Sequence, residues 1–369
     1  MTTWSGIPFQ ILHQMRAQKA EVELLSPLNT RAKYLLAPIK LMAGARGKSV
    51  TLDHFRSVLE DYSRQIQRFV QDRSIDVVFS TSTVPVTLLN CGKPIVTWTD
   101  AVFHCMHEYY GAPFANMTAA AVRRGWWQEE KALHNCAIAV FASTWALEGA
   151  RRLASSAKLR VLPFGSSLPV RHNEDDVARR AAEKRATRKK QCELLFVGVN
   201  WERKGGAIAV ETARLLNESG IETKLRIVGS EPEGELPDFV ESFGFINKSS
   251  EAGTQKLVDL FQVSDFFILP TNAEAAGIVF SEASSYGLPS LAYATGGVSD
   301  YVRNGVNGVC VEPGSPPAAF AREITKLLTD SAAYESCAIE GFREYQERLN
   351  WETSVCKLLG FCAECAQTS

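Results

Sequence analysis

The feature that most constrains the fold is a repeated alternation between short apolar runs and longer stretches with helical spacing. Strands are predicted at 22–25, 77–80, 95–97, 138–142, 159–163, 194–197, 224–228, 243–246, 266–269, 290–293 and 308–311. Helices are predicted between them, for example over 53–69 and 207–219, where apolar residues recur every three or four positions. Short apolar strands that alternate with helices form parallel sheets with right-handed crossovers. We therefore predict an α/β fold with two doubly wound, Rossmann-like domains.

A highly charged segment, 171–190, separates the two runs of strands. Its sequence, RHNEDDVARRAAEKRATRKK, contains almost no large apolar residue, so we expect a solvated linker or a linker helix. A basic patch for anionic membrane lipid or for a phosphate-bearing acceptor is the alternative. The predicted domains are 1–170 and 191–349, and a length of 369 residues suits two domains.

Composition excludes several classes of protein. The net charge is -1, whereas nucleic-acid-binding proteins are usually strongly basic, so no nucleic-acid partner is expected. No apolar run approaches the ~18 residues of a membrane span, and the N-terminus lacks the regions of a signal peptide. Nine scattered cysteines indicate reduced thiols and a cytoplasmic location. Two pairs, Cys362 with Cys365 and His104 with His107, lack the further ligands that a metal site needs, so we expect no metal.

The N-terminus departs from the usual pattern of a nucleotide-binding domain, which opens with a strand that leads into a glycine-rich turn. Here Gly6 is followed at once by a predicted helix, in which Ile7, Ile11 and Met15 share one apolar face. No strand is predicted before Gly6. The first sheet is therefore expected either to have an open edge or to lack a strand that lies before the start of this chain.

Residues 270–289, PTNAEAAGIVFSEASSYGLP, contain two glutamates eight positions apart, Glu274 and Glu282. An apolar strand precedes them, so the predicted order is strand, loop and helix start. The free N–H groups of Gly277, Ile278 and Val279 are expected at the N-terminus of that helix, where they and the helix dipole favour a phosphate. Glu282 lies about one and a half turns further along the helix and can accept hydrogen bonds from sugar hydroxyls. Glu274 lies on the loop before the helix.

A second candidate phosphate-binding element follows the strand 194–197. Its sequence, GVNWERKGG, covers residues 198–206 and includes Arg203 and Lys204. Glycine lets the backbone approach a ligand closely, and the two cations suit phosphate oxygens. A surface loop with exposed charges is the alternative for this element alone. Both elements follow the carboxyl ends of strands, where doubly wound sheets bind ligands.

In these residues the chain resembles the retaining glycosyltransferases of family 4, the group 1 glycosyl transferases, which have the GT-B fold. The resemblance runs from Ser5-Gly6 to about Trp351. It is carried by PFG (163–165), WTDAVFH (98–104), FVGVNWERKGG (196–206), RIVG (226–229), the two glutamates of 274–282, YGLPSLAYATGGVSDYV (286–302) and NGVNG (304–308).

The resemblance implies two Rossmann-like domains that face each other across a cleft, with the last helix, 350–369, crossing back onto the first domain. It assigns the C-terminal domain to a UDP-, GDP- or ADP-sugar donor, with Arg203 and Lys204 at the diphosphate and Glu282 at the ribose. Glu274 would organise the donor sugar and the phosphates. The donor-binding residues that it implies are Gly6, Arg203, Lys204, Phe245, Ile246, Gly277, Ile278, Val279 and Glu282.

The resemblance also implies the chemistry. The chain contains no Asp-x-Asp sequence, so a metal-independent transfer is expected, in which cations and a helix N-terminus offset the charge of the leaving diphosphate. Many family members carry a histidine after the strand that corresponds to 95–97. Here Asp100 and His104 are the candidates near the acceptor, and Glu274 is the third candidate catalytic residue. A helix N-cap is the structural alternative for Asp100.

We therefore expect a retaining hexosyltransferase that acts on a carbohydrate or lipid-linked acceptor in polysaccharide or glycoconjugate biosynthesis. The expected location is the cytoplasm, with a peripheral contact at the inner membrane face as an alternative. Two other functions remain open at this point. One is a non-catalytic nucleotide-sugar-binding or scaffold protein of GT-B descent, and the other is a GT-B enzyme of another kind, such as a sugar-nucleotide epimerase.

Overall fold

The structure is a computed structural model that describes residues 6–111, 114–187, 190–230 and 235–367. It divides into two compact units. Unit 1 comprises residues 1–162 and 355–369, and unit 2 comprises residues 163–354. Ser5, where the family resemblance begins, lies outside the described residues, as do Arg188 and Lys189 of the charged segment.

Unit 1 is a parallel sheet with helices packed around it. Its helices are α1 (Ile7–Ala17), α2 (Ala32–Gly44), α3 (Arg56–Gln71), α4 (Phe103–Tyr109), α5 (Ala119–Asn135) and α6 (Thr144–Leu153). Its strands are β1 (Val78–Ser80), β2 (Ile95–Thr99), β3 (Ile138–Phe141) and β4 (Leu159–Val161), in the order β1-β2-β3-β4. Single 3-10 turns cover Leu52–His54 and Val84–Val86. The apolar side chains of β2 and β3 form the core with helices α3, α5 and α6.

The strand predicted at 22–25 is wrong. In the described residues no strand precedes Val78, and the segment 21–25 has no ladder partner. Leu25 packs against the core while Leu24 is 55% exposed. The segment has only three apolar residues, interrupted by Glu23, and Pro27 follows shortly after without the N–H group that a ladder needs. Leu25 therefore packs against the core although its segment pairs with no strand.

Unit 2 is a six-stranded parallel sheet with helices on both faces. Its helices are α7 (Glu174–Thr187), α8 (Trp201–Lys204), α9 (Gly206–Glu218), α10 (Glu251–Val263), α11 (Ile278–Ser285), α12 (Val298–Tyr301), α13 (Pro317–Thr329) and α14 (Ser331–Glu347). Its strands are β5 (Gln191–Val197), β6 (Glu222–Val228), β7 (Val240–Ser242), β8 (Phe266–Leu269), β9 (Ser290–Tyr293) and β10 (Gly308–Val311). Their order is β10-β9-β8-β5-β6-β7, which is the order of a Rossmann domain.

One strand of unit 2 lies earlier than predicted. The expected strand at 243–246 is wrong, and the pairing residues are Val240–Ser242. Gly244 has a φ of 58°, a left-handed conformation that ends the extended run. Phe245 and Ile246 consequently lie on the loop after the strand.

The charged segment is part of unit 2 and is not a solvated linker. Helix α7 buries Val177 and Ala181 in the core of this unit. Arg185, which is 4% exposed, donates to the buried carboxylate of Asp265 at 2.9 Å. Small alanines and the long arginine stem let a helix with little large apolar content pack inside.

The boundary between the units lies at Leu162 and Pro163, earlier than the predicted residue 170. The N–H of Phe164 donates to the hydroxyl of Tyr301 at 2.9 Å, and Leu168 joins the core of unit 2. The last helix, α15 (Trp351–Gln367), begins in unit 2 and continues in unit 1 from Val355. Within the ranges that the structure describes, no helix has both the length and the apolar character to span a bilayer.

Candidate active site

The candidate donor site lies at the carboxyl ends of β5 and β8, the two neighbouring strands from which the sheet of unit 2 extends in opposite directions. Strands β6 and β7 follow β5 on one side, and β9 and β10 follow β8 on the other. The loops after β5 and β8 therefore diverge, and doubly wound sheets bind ligands in the crevice that such loops leave. The two elements singled out in the sequence are these two loops.

The loop after β5 forms a short helical turn, α8. The Asn200 side chain accepts from the N–H of Arg203 at 2.8 Å and caps this turn. Gly205 follows in the left-handed region with φ 75°, and a Cβ there would stand 2.1 Å from the carbonyl oxygen of Pro270. Only glycine allows both the conformation and this approach to the loop after β8.

The two loops are joined by hydrogen bonds and by an ion pair. The Asn272 N–H donates to the Arg203 carbonyl at 2.8 Å, and the Arg203 guanidinium donates to the Ala273 carbonyl at 2.6 Å. The ammonium of Lys204 donates to the carboxylate of Glu274, and both side chains are only 12% exposed. Three of the predicted site residues are thus brought together on two adjoining loops.

The helix after this loop begins as predicted, with Gly277 as the N-cap of α11. One detail differs from the prediction, because the N–H of Ile278 is not free but donates to the Ala276 carbonyl at 3.2 Å. Val279 is the second residue of the helix, where an N–H group has no intrahelical partner. Fewer free N–H groups are therefore available to an anion here than the three consecutive amides that the sequence predicted.

Glu282 lies on α11 and is fully buried. Its two carboxylate oxygens accept from the ammonium of Lys248 at 2.6 and 2.8 Å. The Lys248 side chain comes from the loop after β7 and is 42% exposed. Sequence reasoning missed Lys248 as a site residue, although it lies only two residues after the predicted donor-binding residues Phe245 and Ile246.

Phe245 and Ile246 lie on the same loop as Lys248. The ring of Phe245 is 74% exposed, whereas Ile246 packs against the core. The Gly244 carbonyl accepts from the N–H of Gly229 at 2.8 Å, which fixes this loop beside the end of β6. An exposed aromatic ring on a fixed loop can stack on a planar base. The roles of both residues stay predictions.

The predicted residues of unit 1 do not form one cluster. Gly6 is the N-cap of α1 and has a φ of 76°, so glycine is required there for its backbone conformation. Asp100 lines a cavity of about 310 Å³ in unit 1, whereas His104 is absent from its described lining. Asp100 is not the N-cap of α4, which is Val102, and its carboxylate accepts from the N–H of Ala101 at 2.9 Å.

His104 is 5% exposed and packs edge-on against Trp126, with ring centroids 5.6 Å apart. Its Nε2 lies 3.5 Å from the Cys105 thiol, and burial lowers its pKa. Its role as a candidate catalytic residue stays a prediction. In the described residues, no three or more His, Cys, Asp or Glu side chains form a group that could hold a metal ion, so neither pair noted in the sequence belongs to one.

The cavity of unit 1 includes a buried glutamate that sequence reasoning missed. Glu129, on α5, is 4% exposed, and one of its oxygens accepts from the N–H of Phe103 at 3.1 Å. Burial, with a smaller contribution from the nearby Asp100, raises the pKa of Glu129 to about 7. A carboxyl buried by residues from other elements leaves no periodic signal in the sequence.

Three lining side chains carry a buried polar atom without a hydrogen-bond partner in the described structure. The atoms are His54 Nδ1, Thr99 Oγ1 and Glu129 Oε1. Burial lowers the pKa of His54 to about 4, so this ring is neutral at pH 7. Buried polar atoms are normally hydrogen-bonded, so this polar cavity is suited to a ligand with hydroxyl groups.

Comparison with known proteins bears on unit 2 first. Residues 178–344 match the family model described as "Glycosyl transferases group 1". That range contains both loops of the candidate donor site. Residues 178–344 therefore form a group 1 glycosyl transferase domain.

Curated relatives of this domain align over part of their length. The chain is 30% identical over 179 residues to "D-inositol 3-phosphate glycosyltransferase 1" of Catenulispora acidiphila, covering 45% of this chain and 42% of the relative. It is 27% identical over 221 residues to "D-inositol 3-phosphate glycosyltransferase" of Acidothermus cellulolyticus, covering 56% of this chain and 48% of the relative. The chain thus matches less than half the length of either relative.

Solved structures with the same fold align over most of the chain. A sucrose-phosphate synthase from Thermosynechococcus elongatus is 18% identical, with a TM-score of 0.63 over 85% of this chain and 79% of that one. HepE of Anabaena in complex with UDP-glucose is 14% identical, with a TM-score of 0.61 over 96% and 94%. WaaG, a glycosyltransferase involved in lipopolysaccharide biosynthesis, is 17% identical, with a TM-score of 0.59 over 97% and 95%. The predicted GT-B fold is confirmed.

Proposed function

We propose that the protein transfers a sugar from a nucleotide-diphosphate sugar to an acceptor hydroxyl. One observation carries this proposal. The residues that match the group 1 family include two loops joined by the Lys204–Glu274 ion pair, and these loops lie where a Rossmann sheet binds ligands. A similar solved structure supports a nucleotide-sugar donor, because HepE is in complex with UDP and with UDP-glucose.

The geometry supports separate roles for the two lysine–glutamate pairs. An ammonium has three N–H donors, so Lys204 can bind a phosphate oxygen while it holds Glu274. A carboxylate offers about four lone-pair sites, and Lys248 donates to one on each oxygen of Glu282. Glu282 therefore keeps acceptor capacity for ribose hydroxyls. Phe245 and Ile246, on the loop of Lys248, are proposed to lie at the base.

We propose a retaining and metal-independent transfer. The breaking bond leaves a diphosphate whose negative charge must be offset, and Arg203, Lys204 and the N-terminus of α11 are the positive groups at this point of the sheet. In this proposal Glu274 positions Lys204 and the donor sugar through their hydrogen bonds. Gly6 is proposed to approach the diphosphate as the family resemblance implies.

The acceptor is proposed to bind in the cavity of unit 1, beside Asp100. Its described lining contains no lysine or arginine, and it includes the carboxyl groups of Asp100 and Glu129. A phosphorylated acceptor would find no cation in this lining. We therefore propose an uncharged, hydroxyl-bearing acceptor, in contrast to the inositol phosphate in the names of the curated relatives. Asp100 and Glu129 are the candidates to receive the hydroxyl proton. For Glu129 the raised pKa of about 7 suits this task.

The donor proposal is tested by thermal shift and by turnover. A panel of UDP-, GDP- and ADP-sugars should include one that raises the melting temperature, because a ligand that binds only the native state stabilises it. Lys204→Ala should abolish this shift and lower turnover about 100-fold or more, as loss of one preorganised charge contact does. Lys326→Ala, an exposed lysine of the same unit, is the control and should change neither.

The same assay separates the remaining functions. A donor-dependent thermal shift without transfer to any acceptor would favour the non-catalytic reading, and interconversion of the donor sugar would favour an epimerase. The acceptor proposal is tested with inositol and inositol phosphate as matched probes. A preference for the phosphorylated probe would contradict the uncharged acceptor. A role in polysaccharide or glycoconjugate biosynthesis is proposed from the WaaG likeness in fold alone.

A further inference from the structure

Helix α2 of unit 1 exposes an apolar surface that the proposed reaction does not use. Twelve large apolar side chains are exposed in the described residues, and five of them lie on the 13 residues of this helix. Tyr34, Leu35 and Leu41 are 80%, 83% and 74% exposed, and Met42 and Ile39 are 57% and 41% exposed. Single exposed apolar residues are ordinary, whereas a contiguous group marks an interaction surface.

These side chains occupy one face of the helix. They form two adjacent rows at spacings of four and three residues: Tyr34, Pro38 and Leu41 in one, and Leu35, Ile39 and Met42 in the other. The opposite face holds the helix on unit 1, because Ala43 is buried against Val50 and Ala121. Because this contact holds the helix on unit 1, the apolar face points away from the unit.

The charge around α2 is strongly positive. Residues 31–48 contain five basic side chains and no aspartate or glutamate, whereas the whole chain has 40 basic and 41 acidic residues. These are Arg31, Lys33, Lys40, Arg46 and Lys48. In the part of the chain that the structure describes, Lys33 alone among them has an ion-pair partner, Asp53, at 2.6 Å.

We propose that α2 docks the protein on a membrane surface that contains anionic lipid. Apolar side chains on one face with basic side chains around them are the pattern of a helix that lies in the membrane interface. Thirteen residues span about 20 Å as a helix, less than the ~30 Å core of a bilayer, so α2 lies in the surface plane and does not cross it.

Charge decides between a membrane and a second copy of the chain. Two copies that paired through this face would bring five basic side chains against five, with no carboxylate between them in residues 31–48. Anionic headgroups complement the same charges, by roughly fivefold in affinity for each basic residue near the surface.

The sequence indicates a basic patch at 171–190 as an alternative lipid- or phosphate-binding surface. We propose helix α2 for this role instead. There Arg185 is buried on Asp265, Lys184 donates to the Ser264 carbonyl, and Arg179 pairs with Asp176. Those cations are engaged within unit 2, whereas the basic side chains around α2 accompany exposed apolar residues.

Vesicle binding of the full-length chain tests the proposal. The chain should sediment with vesicles of mixed phosphatidylcholine and phosphatidylglycerol but weakly with phosphatidylcholine alone, and added salt should release it. Leu35→Ser with Leu41→Ser should lower partitioning at least about tenfold, because two leucines leave the lipid. Lys40→Glu with Arg46→Glu should lower it by a similar factor. All four residues are exposed, so the melting temperature should not change.

Matched controls make the test specific. Val263→Ser removes an exposed apolar side chain from unit 2, and Lys357→Glu reverses an exposed charge on α15, and both variants should bind as the parent does. Hydrogen exchange on mixed vesicles should slow within 32–44. The proposal fails if the parent does not bind mixed vesicles, if the leucine variant binds equally well, or if α2 gains no protection. A concentration-dependent dimer that the leucine variant loses, without vesicle binding, would assign the surface to a second copy.

Discussion

Removal of the Lys248 ammonium should destabilise unit 2. Glu282 is fully buried, and its two described polar contacts from Lys248 measure 2.6 and 2.8 Å. Lys248→Met keeps much of the aliphatic stem but leaves a buried carboxylate without its cation. Breaking a buried pair from one side costs about 3–5 kcal/mol when the remaining charge cannot be relieved.

The lysine is half-exposed, which reduces the net strength of the pair in the parent. We therefore expect Lys248→Met to lower the free energy of unfolding by about 2–3 kcal/mol at pH 7, somewhat less than the loss of a fully buried partner would.

The assay is thermal and urea unfolding of unit 2 at pH 7. For a unit of this size the expected loss corresponds to about 5–12 °C in the melting temperature. Lys248→Met with Glu282→Met removes both charges and should recover most of the stability. Lys326→Met is the exposed control. A loss under about 0.5 kcal/mol, or a double variant no more stable than Lys248→Met, would refute the reasoning.

Two further predictions concern a buried acid and a close backbone approach. Burial raises the pKa of Glu129 to about 7, so the folded chain holds a proton that the unfolded chain releases near pH 4.3, and stability should fall by about 3 kcal/mol as pH rises from about 4.5 to about 7. Glu129→Gln keeps an acceptor for the Phe103 N–H and should abolish this fall in urea unfolding at pH 5 and 8; an unchanged fall would place the titrating group elsewhere. Gly205→Ala puts a Cβ 2.1 Å from the Pro270 oxygen and should cost about 2–4 kcal/mol and weaken donor binding. Gly305→Ala has the same φ of 75° with nothing within 4 Å and should cost only about 1 kcal/mol, so equal losses would remove the contact from the explanation.

The sequence was sufficient for the elements that depend on local chemistry. The strands that flank the candidate donor site each contain an apolar run of four residues, 194–197 and 266–269, and Gly205 and Gly277 mark the starts of the helices that follow. The contact between Lys204 and Glu274 depends instead on β5 and β8 being neighbours, which follows only from the order of the whole sheet. Local pattern therefore located both loops, and topology brought them together.

Other residues carried no usable signal. The position of Lys248 depends on a loop whose direction is set when Gly244 ends the extended run, so that β7 stops four residues earlier than expected. From its sequence, helix α7 is expected in solvent, because alanines and Arg185 are not typical of a helix face that packs in a core. Helix α2 shows the reverse difficulty, since its apolar rows have the spacing of a buried face and only the structure shows that they are exposed.

The two lysine–glutamate pairs also hold the loops of the candidate donor site in place. Lys204 ties the loop after β5 to the loop after β8, and Lys248 ties the loop after β7 to helix α11. Each pair is neutral in sum, so the positive charge that remains at these loops is that of Arg203 and of the helix N-terminus. A diphosphate that binds here meets groups already held in place by buried contacts, which lowers the cost of ordering them during the reaction. Because each glutamate is both a ligand candidate and the partner of a lysine, its replacement should alter stability and turnover together, whereas Lys326 variants should alter neither.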